Sequence, residues 1–157
     1  FADRRNDHEV ELAVVIGRGG AFIDRDNALE HVFGYAIGLD ITTRGPEFPG
    51  FRKSPDTYGV LGPWITTRDE VENPNALALS LHVNGEQRQR ASTSQLIFDV
   101  QALIVYASCF YTLHPGDIIM TGTPEGVSQV LPGDVMDAQI EKLGSMRTRI
   151  DSAWVTA

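Results

Sequence analysis

The sequence predicts a β-dominated α+β fold, and three features carry that prediction. Short alternating or apolar runs, bounded by Gly, Pro, Asn and Asp, recur along the chain. Residues 94–112 are the one long stretch with apolar residues at helical spacing. No repeat, linker or low-complexity segment divides the 157 residues, which suits one domain, 1–157, with a sizeable core.

The elements follow in order. His8-Glu-Val-Glu-Leu-Ala-Val-Val-Ile16 reads as a buried strand, and Arg18-Gly-Gly20 as a turn. Asp24 or Asp26 can cap a short helix over 27–32, with Gly34 as its stop. Tyr35-Ala-Ile-Gly-Leu-Asp-Ile41 reads as a strand. Residues 44–59 are rich in Gly, Pro and charge and form a long loop, a feature that in compact domains is usually functional or disordered. Residues 77–83 and 86–90 flank Asn84-Gly85, whose residue types supply the positive φ angles of a type I′ hairpin turn. In the helix at 94–112, Leu96, Ile97, Val100, Leu103, Ile104, Ala107 and Tyr111 mark the apolar face. It is expected to bury Leu96, Val100, Leu103 and Ile104 against the sheet. Pro-Gly-Asp turns at Pro115 and Pro132 launch strands over 118–121 and 135–140, and 146–150 closes a mixed sheet.

Composition excludes several classes. A net charge of −8 with no basic cluster argues against nucleic acid or an anionic membrane as partner. The single cysteine, Cys109, rules out an internal disulfide framework and a Cys-based zinc site, and its apolar surroundings place it in the core. No apolar run approaches the ~20 residues that span a bilayer. The opening residues are not a signal peptide. A reducing, cytoplasmic setting is expected.

The chemistry begins at Glu9-Val10-Glu11. Alternation puts Glu9 and Glu11 on one face and Val10 and Leu12 on the other. Two adjacent carboxylates at the mouth of an apolar strand repel each other and resist desolvation, and a bound cation relieves both. Oxygen ligands favour a hard ion such as Mg²⁺, Mn²⁺ or Ca²⁺. Taken alone, Glu-x-Glu fits a strand end in water better than an ion site. Asp40, at a strand end beside a long loop, is a reasonable third ligand, although such an Asp is more often a turn former. Lys53 by itself reads as a surface lysine. Thr121-Gly-Thr-Pro-Glu-Gly126 offers hydroxyls and backbone N–H groups that can hold a carboxylate, but also fits a plain turn. His8, His31, His82 and His114 each read as structural.

The ordered set is far more specific than its parts. Glu9-Val-Glu-Leu-Ala-Val-Val-Ile-Gly17, Gly34-Tyr-Ala-Ile-Gly-Leu-Asp40, Arg52-Lys-Ser-Pro-Asp-Thr57, Leu61-Gly-Pro-Trp64, Val83-Asn-Gly-Glu86, Leu113-His-Pro-Gly-Asp117 and Thr121-Gly-Thr-Pro-Glu-Gly-Val127 occur in sequence. Over nearly its whole length the chain resembles the fumarylacetoacetate hydrolase family, in its bacterial branch of 2-oxo acid hydrolases, isomerases and decarboxylases. The resemblance implies a mixed β-sandwich roll of the family's C-terminal type, usually a homodimer. It implies a divalent metal, Mg²⁺ with Mn²⁺ or Ca²⁺ as alternatives, held by Glu9, Glu11 and Asp40. It places the family lysine at Lys53 and a substrate-carboxylate loop at Thr121, Gly122 and Thr123, with Thr123 as the contact. Arg44 and Glu47 fall at substrate-binding positions, Glu47 where a Gln often stands. That departure, and a shortened interval from Asp40 to Lys53, keep isomerisation and decarboxylation beside hydrolysis.

The activity implied is C–C hydrolysis of an acylpyruvate or β-diketo acid in aromatic or organic acid catabolism, through a metal-stabilised enolate. The alternative is isomerisation or decarboxylation of a 2-hydroxymuconate- or oxaloacetate-type acid. Lys53 is expected to face the open side of the site, with a substrate anion between it and the ion. The family's upstream His and Glu, on a mobile lid, have no counterpart here. The chain is therefore expected to lack an N-terminal part, or a stretch near Asp3. Two non-enzymatic readings stand against this one: a metal-binding β domain without catalysis, and a carbohydrate-binding sandwich with structural Ca²⁺.

Overall fold

The computed structural model describes residues 4–152. Its strands are β1 (Asn6–Asp7), β2 (Val10–Ile16), β3 (Val32–Asp40), β4 (Thr42–Thr43), β5 (Gly59–Thr67), β6 (Ala78–Val83), β7 (Glu86–Ser92), β8 (Ile118–Met120), β9 (Gln129–Val130), β10 (Val135–Ile140) and β11 (Gly144–Arg149). Two α-helices join them, α1 (Pro49–Lys53) and α2 (Val100–Phe110). The strands form two four-stranded sheets, ordered β5-β3-β2-β8 and β11-β10-β6-β7, and a three-stranded sheet β4-β1-β9. The expected stretch missing near Asp3 lies outside the described residues.

One apolar cluster draws on both four-stranded sheets. Val10, Leu12, Val14 and Ile16 of β2 meet Tyr35, Ile37 and Leu39 of β3, Leu79, Leu81 and Val83 of β6, and Met136 and Ile140 of β10. Val100 and Ile104 of α2 belong to the same cluster. The other face of β2, with Ala13 and Val15, is buried too. β2 therefore reads as an almost continuous apolar run, as a strand covered on both faces must. Where that face reaches the strand's N-terminal end, it carries Glu11 and Glu9.

The structure corrects the expected elements at several points. Every strand pairing among the described residues is antiparallel, so the sheets are not mixed. Tight turns join β6 to β7 and β10 to β11, while longer connections join β2 to β3 and β3 to β5. The long helix begins at Val100, not at Ser94. Ser92 and Gln95 form a capping box around a short 3₁₀ turn, Thr93–Gln95. Asp99 then accepts the Ala102 N–H at 2.8 Å and starts the helix there. Of the expected stripe, Val100 and Ile104 are buried, whereas Leu96 and Leu103 are half-buried. Cys109 is exposed rather than in the core.

The expected helix at 27–32 is a 3₁₀ helix, Arg25–His31, with no side-chain cap from Asp24. Gly34 is not its stop but part of β3, where a Cβ would collide with the Thr66 carbonyl oxygen. Within the expected loop at 44–59, α1 forms behind Pro49, with Arg52 and Lys53 in its last turn, where the helix dipole favours cations. The run over β5 escapes a sequence reading because Gly62-Pro63 interrupts it. Proline is tolerated there because β5 is an edge strand. The hairpin of β6 and β7 matches its sequence signal, with φ of 52° at Asn84 and 83° at Gly85. Among the described residues, no helix is long and apolar enough to cross a membrane.

Candidate active site

Strand register assembles the site. Val10 pairs with Leu39 and Glu11 with Gly38, and the Asp40 N–H donates to the Glu9 carbonyl at 2.9 Å. Glu9 and Asp40 thus face each other across β2 and β3, beside Glu11. Gly38 opposite Glu11 adds no side chain, and a Cβ there would strike Met120 Cε at 2.5 Å. The three carboxylates offer oxygens that all lie within 4.8 Å of one another. Directly opposed like charges are unfavourable in a sheet, so the cluster needs positive charge.

Two cations supply part of it. The Lys53 ammonium donates to Glu9 Oε2 at 2.8 Å, to Thr42 Oγ1 at 2.9 Å and to Asp40 Oδ2. Burial works against the charged ammonium, but the bonds to Asp40 and Glu9 outweigh it and raise the Lys53 pKa. Lys53 therefore does not stand off on the open side of the site. It lies among the carboxylates, because α1 delivers it there from its last turn. The Arg44 guanidinium bridges Asp7 Oδ2 at 2.7 Å and Glu9 Oε1 at 3.1 Å. Asp7 is fully buried, and Arg5 donates to its other oxygen at 2.7 Å. Desolvation pushes the Asp7 carboxyl up, yet Arg5 and Arg44 together hold it below the usual carboxylate range.

Glu11 lacks such a partner. Its Oε2 accepts the Gly122 N–H at 2.7 Å. Burial pushes its pKa from 4.5 up to about 7; the Gly122 bond and Lys53 pull it back, while the charges of Asp40 and Glu9 add to the push. This buried carboxylate is the group with most to gain from a cation.

The Thr121–Pro124 loop lies along the same end of β2, with its hydroxyls turned back toward the strand. Thr121 Oγ1 donates to the Leu12 carbonyl and Thr123 Oγ1 to the Val10 carbonyl, each at 2.9 Å. The Thr123 hydroxyl proton is thereby committed to the scaffold, so a carboxylate held by this loop would rely on backbone N–H groups. Glu47 stands apart, ion-paired with Arg4. Glu9, Glu11, Asp40, Lys53, Arg44 and Gly122 thus converge, and Glu47 does not join them.

Sequence reasoning missed Asp7, Thr42 and Gln89. Asp7 had a signal, since alternation puts it on the same face as Glu9. Gln89 had none, because its neighbourhood reads as a solvated hairpin. His8 is fully buried between Gln89 Oε1 at 3.0 Å from Nδ1 and Ser128 Oγ at 2.9 Å from Nε2, in keeping with a structural role. Desolvation lowers its pKa, which favours the neutral imidazole.

A sheet-borne carboxylate trio, anionic and all oxygen, is a donor set suited to a hard divalent cation. The family described as fumarylacetoacetate (FAA) hydrolase C-terminal matches residues 2–151, and the chain belongs to that family. It is 59% identical over 150 residues to the maleylpyruvate hydrolase of Aquipseudomonas alcaligenes, covering 96% of this chain and 52% of that protein. The maleylpyruvate hydrolase of Sphingobium sp. SYK-6, solved with manganese(II) and pyruvate, superposes with a TM-score of 0.91 at 43% identity, over 96% of this chain and 56% of that one. The 5-carboxymethyl-2-hydroxymuconate delta-isomerase of Mycobacterium smegmatis does so with a TM-score of 0.90 at 38% identity, over 96% of this chain and 61% of that one. The chain spans about half the length of the first of these relatives.

Proposed function

We propose that this chain forms the metal-binding catalytic face of a hydrolase that cleaves a C–C bond in an acylpyruvate or related β-diketo acid. The observation that carries the proposal is the convergence of Glu9, Glu11 and Asp40 with Lys53 bonded among them. The donor set fits a hard divalent ion: it is all oxygen, anionic and half enclosed, and Glu11 has no cation bonded to it. Glu9, Glu11 and Asp40 would hold the ion, with Mg²⁺ proposed and Mn²⁺ accepted. Such an ion supplies Lewis-acid charge at a 2-oxo acid's oxygens and so favours enolate formation.

The protein's own contributions follow from the geometry. Arg44 fixes the orientation of Glu9, and the Gly122 N–H fixes that of Glu11. Lys53 brings a movable ammonium that can leave the carboxylates for a substrate oxygen as negative charge develops there. The 121–124 loop offers backbone donors to a substrate carboxylate. Isomerisation of a 2-hydroxymuconate-type acid is the second reading, favoured by the likeness to the delta-isomerase; both reactions share the enolate. A homodimer is part of the proposal, supported by exposed apolar side chains at Ile97, Phe98, Tyr106, Phe110 and Tyr111. A cytoplasmic setting is part of it too, one that suits the exposed thiol of Cys109.

The test is turnover of maleylpyruvate, fumarylpyruvate and a 2-hydroxymuconate-type acid with Mg²⁺ or Mn²⁺, each run with and without EDTA. Metal-dependent release of pyruvate supports hydrolysis, and a shifted double bond without pyruvate supports isomerisation. Metal binding with no turnover of any of them overturns the enzymatic reading in favour of a non-catalytic metal-binding domain.

A further inference from the structure

β7 is exposed along most of its length, and Gln89 is its one buried residue, at 1% exposure. Its amide uses its full hydrogen-bonding capacity. Oε1 accepts the Val10 N–H at 3.2 Å and lies 3.0 Å from His8 Nδ1. Nε2 donates to Thr123 Oγ1 at 2.8 Å and to the Pro124 carbonyl at 2.9 Å. The Thr123 hydroxyl in turn donates to the Val10 carbonyl at 2.9 Å. Val10, Gln89 and Thr123 therefore close a ring of hydrogen bonds around one residue of β2.

The location gives the ring its meaning. β8 pairs with β2 only from Ala13 to Val15. Beyond that point β2 has no neighbouring strand on this edge, yet its buried backbone groups still need partners. The Gln89 amide stands in for the missing peptide at Val10. Val10 lies between Glu9 and Glu11, and Thr123 follows Gly122, whose N–H holds Glu11. A leucine at 89 would fill the space, but it would leave the Val10 N–H and the Pro124 carbonyl without this partner.

We propose that Gln89, from the opposite sheet, is the positioning residue that sets the spacing between the Glu9–Glu11 pair and the 121–124 loop. It touches neither ion nor substrate and acts through Val10 and Thr123. This rests on the metal reading of the carboxylate trio given above.

The experiment is titration of the chain with Mn²⁺, by calorimetry and by the Mn²⁺ resonance signal, on wild type, Gln89→Met and Ile140→Ala. Methionine keeps the volume of glutamine and removes both its donor and its acceptor. Ile140 is buried on β10, pairs with Leu79 and Gly144, and is separated from Gln89 by β6, so Ile140→Ala reports what instability alone does. Gln89→Met is expected to weaken Mn²⁺ binding by about 10–100-fold, the scale seen when groups that orient metal ligands are removed. Ile140→Ala, with an equal or larger fall in Tm, should bind within about twofold of wild type, since it pairs with neither Gln89 nor a ligand. If Gln89→Met does not fold, Thr123→Val opens the same ring and should weaken binding in the same direction. Wild-type affinity in whichever of the Gln89 and Thr123 variants folds, or an equal loss in Ile140→Ala, overturns the role of Gln89 and leaves the metal reading intact. Failure of the wild type itself to bind Mn²⁺ overturns both.

Discussion

Replacing Glu11 with Gln should make the metal-free protein more stable while removing its affinity for metal. In the fold, Glu11 titrates at about 7 against 4.5 for a free carboxyl, chiefly through burial. Between those values the folded state binds more protons than the unfolded state, so stability falls as pH rises. The penalty is absent below about pH 4.5 and complete above about 7. A shift of that size amounts to about 3 kcal/mol. The amide of the Glu11→Gln variant would be neutral throughout, and its carbonyl oxygen can still accept the Gly122 N–H. In EDTA at about pH 8 the variant should therefore gain about 1–3 kcal/mol over wild type, and at about pH 4 the gap should close. Saturating Mn²⁺ should reverse the order, since a ligand at about 1,000 times its Kd adds about 4.1 kcal/mol to the protein that binds it. Urea denaturation followed by circular dichroism, at both pH values and with or without Mn²⁺, reads all of these. A variant less stable than wild type in EDTA at the higher pH, or a gap indifferent to pH, would refute the argument.

Lys53→Met removes the ammonium from Glu9 and Asp40. Metal-free stability should drop, Mn²⁺ affinity should rise by about tenfold or more as a competing cation leaves, and kcat should fall by about a hundredfold. Calorimetry and steady-state kinetics separate the three effects, and an unchanged kcat would take Lys53 out of the mechanism. Ile104→Ala, at a fully buried position of α2, should cost about 2–5 kcal/mol in chemical denaturation. Leu103→Ala should cost less than Ile104→Ala, because Leu103 is half-buried and borders an open cavity of about 420 Å³; equal losses would contradict this packing.

Period and punctuation in the sequence by themselves determined much of this protein. The apolar run of β2, the Asn84-Gly85 hairpin and the two Pro-Gly-Asp strand starts are local signals, written in adjacent residues, and they held. So did the placing of Glu9 and Glu11 on one face, because alternation along a strand is a property of the chain itself. The ordered motifs carried the family and, with it, the candidate ligand Asp40.

Tertiary structure decided what depends on partners distant in sequence. The helix start moved to Val100 because a capping box at Ser92 and the cap at Asp99 outweighed an apolar periodicity that ran past them. β5 formed across Gly62-Pro63 because β3 offered it an edge. Cys109 faces outward although its neighbours are apolar, since the core takes only one face of α2. At the site, the meeting of Lys53 with Glu9 and Asp40 depends on where α1 folds back, and the role of Gln89 on how one sheet lies against the other. No local pattern encodes such contacts, because they are fixed by the need of buried charges and unpaired backbone groups for partners wherever the fold can supply them.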